Sequence, residues 1–150
     1  MLRSSACLAA ILAVALGLRA WGLLSGQLAW HPDEVLFPSL LPLNLLGGDL
    51  NPYFFNYPSF HLYTLTAVFG LDGIIQVLLG ASPDLQTWRD THYVLSLERM
   101  RDLARWVGVV YAVVTVWMVA VLTGRLHGDG ARSRVALAAA AWMAVNVVHV

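Results

Sequence analysis

Lysine is absent from this chain of 150 residues, cysteine occurs once, and charged residues make up only 12%. Each shortage excludes something. A single cysteine, Cys7, cannot build a disulfide framework within the chain. With 59% hydrophobic residues against so little charge, the polar inventory is too small to cover a soluble globule of this size. The nine arginines are balanced by nine carboxylates, and the only dense basic cluster is a short loop of the kind that flanks membrane spans, so nucleic-acid binding has no support. No phosphate loop, heptad or internal repeat is present either. What is left is an all-α integral membrane protein.

Long apolar runs are what the sequence has in abundance. Residues 4–24 are apolar apart from Arg19, and about 20 helical residues at 1.5 Å each match a hydrocarbon layer about 30 Å thick. A cleaved signal peptide is the alternative, because Arg3 makes a small basic region ahead of an alanine-rich core. Against it, the run continues through Trp21 and Leu24 without a clear small-x-small site, and other apolar runs follow. Arg19, near the far end, is expected to snorkel to the headgroups or meet a lipid phosphate. Residues 103–123 form a second, valine-rich span. Residues 135–150 begin a third that is too short to cross as it stands and stops in mid-pattern at Asn146-Val147-Val148-His149-Val150, which implies that the pattern continues.

Charge sets the expected topology. Residues 25–58 contain no arginine but hold Asp33, Glu34 and Asp49, whereas Arg125, Arg132 and Arg134 crowd residues 124–134. Arginine-rich loops stay in the cytoplasm, so 124–134 is placed inside and 25–58 outside. Residues 59–80 are long enough to span, but Gly70-Leu71-Asp72-Gly73 would set a carboxylate at bilayer depth, where it is costly. Two short interfacial helices joined by a break at that tetrad avoid the cost and keep the arginine rule, making 25–102 one external region. Within it, Pro32 suits a helix start, Pro38 and Pro42 interrupt that helix, Gly47-Gly48 stops it, and Asp49-Leu50-Asn51-Pro52 reads as a turn. Residues 81–102, mixed in charge, read as a solvated loop leading into a short amphipathic helix. The expected architecture is a multi-span helical bundle fragment with interfacial helices in its first large external loop.

The chemistry-bearing stretch is Trp30-His31-Pro32-Asp33-Glu34, just past the outer end of the first span. Two adjacent carboxylates there are either a well-charged helix start or the acidic part of an active site at a membrane surface. Adjacent helical residues point about 100° apart, so the two carboxylates cannot both face one reacting atom. His31, His61, His92, His127 and His149 show no paired ligand spacing, and no metal is assigned. Tyr53, Phe54, Phe55, Tyr57, Phe60 and Tyr63 form an aromatic cluster, read as an interfacial belt or as a lipid or sugar platform.

In this order, a first span, Trp-His-Pro-Asp-Glu, a Gly48-Asp49-Leu50-Asn51-Pro52 turn, Phe55-Asn56-Tyr57-Pro58 and an arginine opening a later span, the chain resembles the N-terminal part of the C-type integral-membrane glycosyltransferases. It looks most like the bacterial relatives of protein O-mannosyltransferases and of the lipid A aminoarabinose transferase. The resemblance covers nearly all of this chain but only the opening portion of such enzymes. It implies a multi-pass protein of the cell membrane that moves a sugar from a polyprenyl-phosphate donor to a protein, lipid or glycan acceptor on the extracytoplasmic face. Asp33 matches the catalytic base with Glu34 as its neighbour, and Arg105 matches the arginine facing the carrier phosphate. His31, Asn51 and Tyr57 become possible substrate-lining residues. No cofactor beyond the lipid-linked donor is implied, and a divalent metal is left open. Pro38 and Pro42 depart from the pattern, as does Tyr57 where the aminoarabinose transferases carry lysine, so the acceptor is left open too. A transporter fragment, which would need carboxylates inside its spans such as Asp72, and a non-enzymatic membrane scaffold are the alternatives.

Overall fold

The computed structural model describes residues 2–24, 39–53, 58–94, 97–127 and 133–146. Six α-helices account for most of them: α1 (Leu2–Leu24), α2 (Leu41–Leu45), α3 (Ser59–Leu78), α4 (Leu85–Val94), α5 (Glu98–Leu126) and α6 (Arg134–Asn146). Three are long and apolar enough to cross a membrane, over Ser5–Leu24, Ser59–Leu78 and Glu98–Leu126. The chain divides into two compact units, Met1–Leu28 with Gly108–Val150, and Ala29–Val107.

In the Ala29–Val107 unit, α3 is one uninterrupted helix, and the break expected at Gly70-Leu71-Asp72-Gly73 is not there. Leu62, Leu65, Phe69 and Gly73 fall on one buried face at spacings of three and four. The tetrad is helical for two reasons that lie elsewhere in the chain. Both glycines are close-packing positions: a Cβ on Gly70 would meet Leu46 Cδ2 at 3.2 Å, and one on Gly73 would meet Leu85 Cδ2 and Trp88 Cε3 at 2.9 Å. Asp72, for its part, is neutralised by Arg99, whose Nε donates to Oδ2 at 2.9 Å while Nη2 takes Oδ1. The core of this unit is Leu43, Leu65, Phe69, Trp88, Met100 and Ala104, drawn from four helices. Trp88 is held there by packing and by an edge contact with the His92 ring at 5.0 Å; its indole N–H finds no acceptor among the described residues.

The punctuation between these helices follows local chemistry. Pro42 sits in the first turn of α2, where its missing N–H is not needed, and Gly48 ends that stretch at φ 102°. Gly80, at φ 72°, closes α3 in a Schellman arrangement, with its N–H on Val77 O at 3.0 Å and that of Ala81 on Gln76 O at 2.9 Å. Asp84 then caps α4 by accepting the Thr87 N–H at 2.7 Å, which holds its carboxyl below the ordinary range. Residues 81–84 are therefore the loop, α4 is the short helix that the mixed charge pattern anticipates, and Glu98–Asp102 already belongs to α5. Glu98 in its first turn and Arg125 in its last complement the helix dipole.

In the other unit, α1 packs with α6 and the later part of α5 around Ala15, Val116, Ala120, Ala140 and Ala144, flanked by Leu8, Ile11, Leu12 and Met143. Ala136, Ala140 and Ala144 recur every four residues and are all buried, so α6 offers a seam without bulky side chains and lets a neighbouring backbone come close. Ser133 Oγ accepts the Ala136 N–H at 3.2 Å and caps this helix. Trp21, Trp117 and Trp142 project outward, as suits a lipid-facing surface.

Arg19 corrects a sequence expectation. Instead of extending toward the nearer helix end, its Nη1 reaches back one turn to Ala15 O at 2.9 Å and across to Ala144 O at 3.2 Å. Helical side chains leave the backbone tilted toward the N-terminus, so an arginine near a C-terminal end is aimed inward along its span rather than out to the rim.

Candidate functional site

Of the residues singled out from sequence, His31, Asp33, Glu34 and Tyr57 lie outside the described residues. Asn51 and Arg105 are described, both within the Ala29–Val107 unit but on different elements.

Asn51 belongs to a turn that its own neighbours build. Asp49 Oδ1 accepts the Asn51 N–H at 3.0 Å, and Asn51 Oδ1 in turn accepts the Tyr53 N–H at 3.0 Å, two successive Asx turns. The chain then passes through Tyr53 at φ 51°, a left-handed conformation uncommon for an aromatic residue. The Tyr53 hydroxyl returns to donate to Asp49 Oδ2 at 2.7 Å. The Asn51 N–H first, and the phenol second, hold the Asp49 carboxyl below its ordinary value, and that carboxylate pushes the Tyr53 phenol up. Tyr63 ties the turn to α3 by donating to Leu50 O at 2.9 Å. Asn51 thus spends its carbonyl oxygen on the turn and keeps its exposed carboxamide NH2 for other partners. Tyr53, Phe60 and Tyr63 are exposed, so the described part of the aromatic cluster faces outward.

Arg105 sits two turns into α5, one residue beyond the buried Ala104, with its side chain 17% exposed. Its Nη1 lies 4.0 Å from the exposed carboxylate of Asp102, beyond hydrogen-bond range. Arg101 precedes it by one helical turn, so the two guanidinium groups share one side of the helix, both partly buried. The spacing of four between Arg101 and Arg105 is the signal in the sequence that puts both on one side of a helix. Paired guanidinium groups at the polar end of a membrane-length helix are of the chemical type that binds phosphate.

Arg89 is a further cation near the turn. Its Nε and Nη2 hold Asp90 Oδ1 at 3.1 and 2.9 Å. Its Nη1 lies against the backbone at Gly47, 2.7 Å from where a Cβ would be. No local pattern in the sequence marks that approach. Among the described residues no three His, Cys, Asp or Glu side chains converge to hold a metal ion. Compared with known proteins, the chain matches no family model, no curated protein and no solved structure.

Proposed function

We propose that this chain carries the base and the carrier-phosphate contacts of an integral-membrane glycosyltransferase, one that moves a sugar from a polyprenyl-phosphate donor to an acceptor outside the membrane. The observation that carries the reading is Arg105, partly buried two turns into a membrane-length helix and followed back by Arg101 on the same side. The order of motifs in the sequence supports it. Asp33 acts as base, taking the acceptor's proton as the new bond to the anomeric carbon forms. Glu34 supports it, and Arg105, with Arg101 beside it, stabilises the phosphate as it departs with the bonding electrons. Residues 25–102 form the external region in this reading, with α3 along the membrane face and Asn51, His31 and Tyr57 lining the acceptor side.

The test is sugar transfer from a polyprenyl-phosphate donor in reconstituted membranes. Loss of a positioned base lowers turnover by about 10² to 10⁴-fold, so Asp33→Asn is expected to fall in that range with insertion intact. Glu34→Gln is expected to lose less, and Arg105→Ala to weaken donor binding as well as turnover. Near-normal transfer in both carboxylate variants removes the motif from the mechanism; an inactive Glu34→Gln beside a normal Asp33→Asn exchanges their roles.

A further inference from the structure

We infer that α3 does not cross the membrane but lies flat in its surface, on the side where α5 begins, with its exposed apolar face seated among lipid chains just below the headgroups. Length and hydropathy class α3 with the crossing helices, and the break that would have kept it at the surface is absent. Its contacts decide otherwise at two points. The first is Asp72, bound to Arg99 in the first turn of α5. Arg99 lies four residues, about 6 Å, before Leu103, where the apolar run of α5 opens. Helical side chains lean toward the N-terminus, so the reach of Arg99 carries Asp72 farther from that run, not deeper. From Asp72, α3 extends 13 residues back to Ser59 and six forward to Leu78, arms of about 20 and about 9 Å. Even the longer arm, pointed straight inward, ends about 14 Å inside a layer about 30 Å thick.

The second point is Tyr63, near the other end. Its hydroxyl donates to Leu50 O, the carbonyl that follows the exposed carboxylate of Asp49, so this end of α3 is tied to a turn that belongs in water. Tyr63 and Asp72 are nine residues, about 13 Å, apart, and with both held at the polar boundary the helix axis runs along the surface. The remaining face fits that seat. Phe60, Ala67, Leu71, Ile74 and Leu78 are exposed on the side opposite Leu62, Leu65, Phe69 and Gly73. Tyr63 apart, no exposed residue of α3 is polar. An apolar stripe about 27 Å long is costly in water and suits the boundary of headgroups and acyl chains, which surface helices enter by about 5–10 Å. Lipid is its occupant because the stripe sits at the level where α5 enters the membrane. The ion pair fixes this depth whatever reaction the chain carries out.

The experiment uses the full chain carrying Cys7→Ser in phosphatidylcholine vesicles, with one spin label at a time on Phe60, Ala67, Leu71 or Leu78. Depth is read by power saturation with oxygen against a water-soluble nickel chelate. All four positions are expected at one depth, within about 5 Å of each other and about 5–10 Å below the headgroups. Labels on Val110, Val114, Met118 and Leu122 of α5, all exposed, are expected to step through the bilayer and supply the ruler. Phe60 and Leu78 at opposite faces, with Ala67 and Leu71 near the midplane, overturns the inference. So does contact with the nickel reagent alone at all four, which puts water on the face, or contact with neither reagent, which puts protein there. Should the labelled proteins not fold, single cysteines at Asn51 and Ala81, exposed beyond the two ends of α3, are expected to take an impermeant thiol reagent from the same side of the membrane. Labelling from opposite sides overturns the inference as well.

Discussion

Arg99 grips Asp72 from 27 positions away in sequence, fork to carboxylate, in the middle of what would otherwise be an unbroken apolar helix. The two partners are unequally covered, Asp72 being 11% exposed and Arg99 45%. That asymmetry orders the variants. Arg99→Ala strands a nearly buried carboxylate and is expected to cost about 2 kcal/mol, less than a fully buried pair because water screens the arginine side. Asp72→Leu leaves behind only an exposed, solvated guanidinium and is expected to cost less. Thermal unfolding in detergent measures both, and equal costs would show that the burial of Asp72 does not matter.

Gly73 and Trp88 share one volume. Gly73→Ala places a methyl 2.9 Å from the indole and is expected to destabilise by about 1–3 kcal/mol through overpacking. Gly108→Ala, where a Cβ meets nothing within 4 Å, is expected to be neutral or to stabilise by up to about 1 kcal/mol. Trp88→Phe removes an N–H that has no acceptor among the described residues and is expected to cost much less than Trp88→Ala, which opens a cavity worth about 3–5 kcal/mol. Denaturation midpoints of the four variants decide the ranking.

The turn at residues 49–53 is expected to respond to pH at both extremes. The folded-state pKa of Asp49 is lowered, so its bonds contribute above the ordinary carboxylate value and are lost as pH falls through the lowered one. The Tyr53 phenol is raised, so its contribution is present below the ordinary tyrosine value and is lost as pH rises through the raised one. Carbon-detected NMR titration of the Asp49 carboxyl is expected to give a midpoint below that of a free aspartate. A midpoint at the ordinary value would mean that the turn does not form in solution.

Topology is open to impermeant thiol labelling once Cys7 is replaced. Single cysteines at Asn51 and Asp84, both exposed, are expected to label in intact cells, and one at Gly130 only after permeabilisation. Trp88 is buried and is no probe of sidedness. The reverse pattern would invert the orientation drawn from the arginines.

Residues 4–24 and 103–123 were legible as helices because length and hydropathy are local properties. So were the Gly47-Gly48 stop, where Gly48 has positive φ, and the turn at Asp49, where short side chains bond their own backbone. Gly70-Leu71-Asp72-Gly73 misled because its composition is that of a turn, while the forces that keep it helical come from Trp88, Leu46 and Arg99. Arg19 misled through the assumption that charge seeks the nearest water, which ignores the direction in which a helix launches its side chains. For the candidate site, the structure describes Asn51 and Arg105 of the residues drawn from sequence, and Arg101 joins Arg105 through a helical spacing of four that no motif marks. Trp88 as a core residue had no local signal at all.

The bond from Arg19 to Ala144 joins positions 125 residues apart. A ribosome adding about 5–20 residues each second needs roughly 6–25 s to cover that distance. Throughout that interval α1 carries a cation whose acceptor on α6 does not yet exist. The nascent first span is therefore expected to stay loosely seated, exchanging between the translocon and the bilayer, until α6 emerges and latches it. Time-resolved crosslinking of stalled chains that end before and after Ala144 would register that moment as a change in the neighbours of α1.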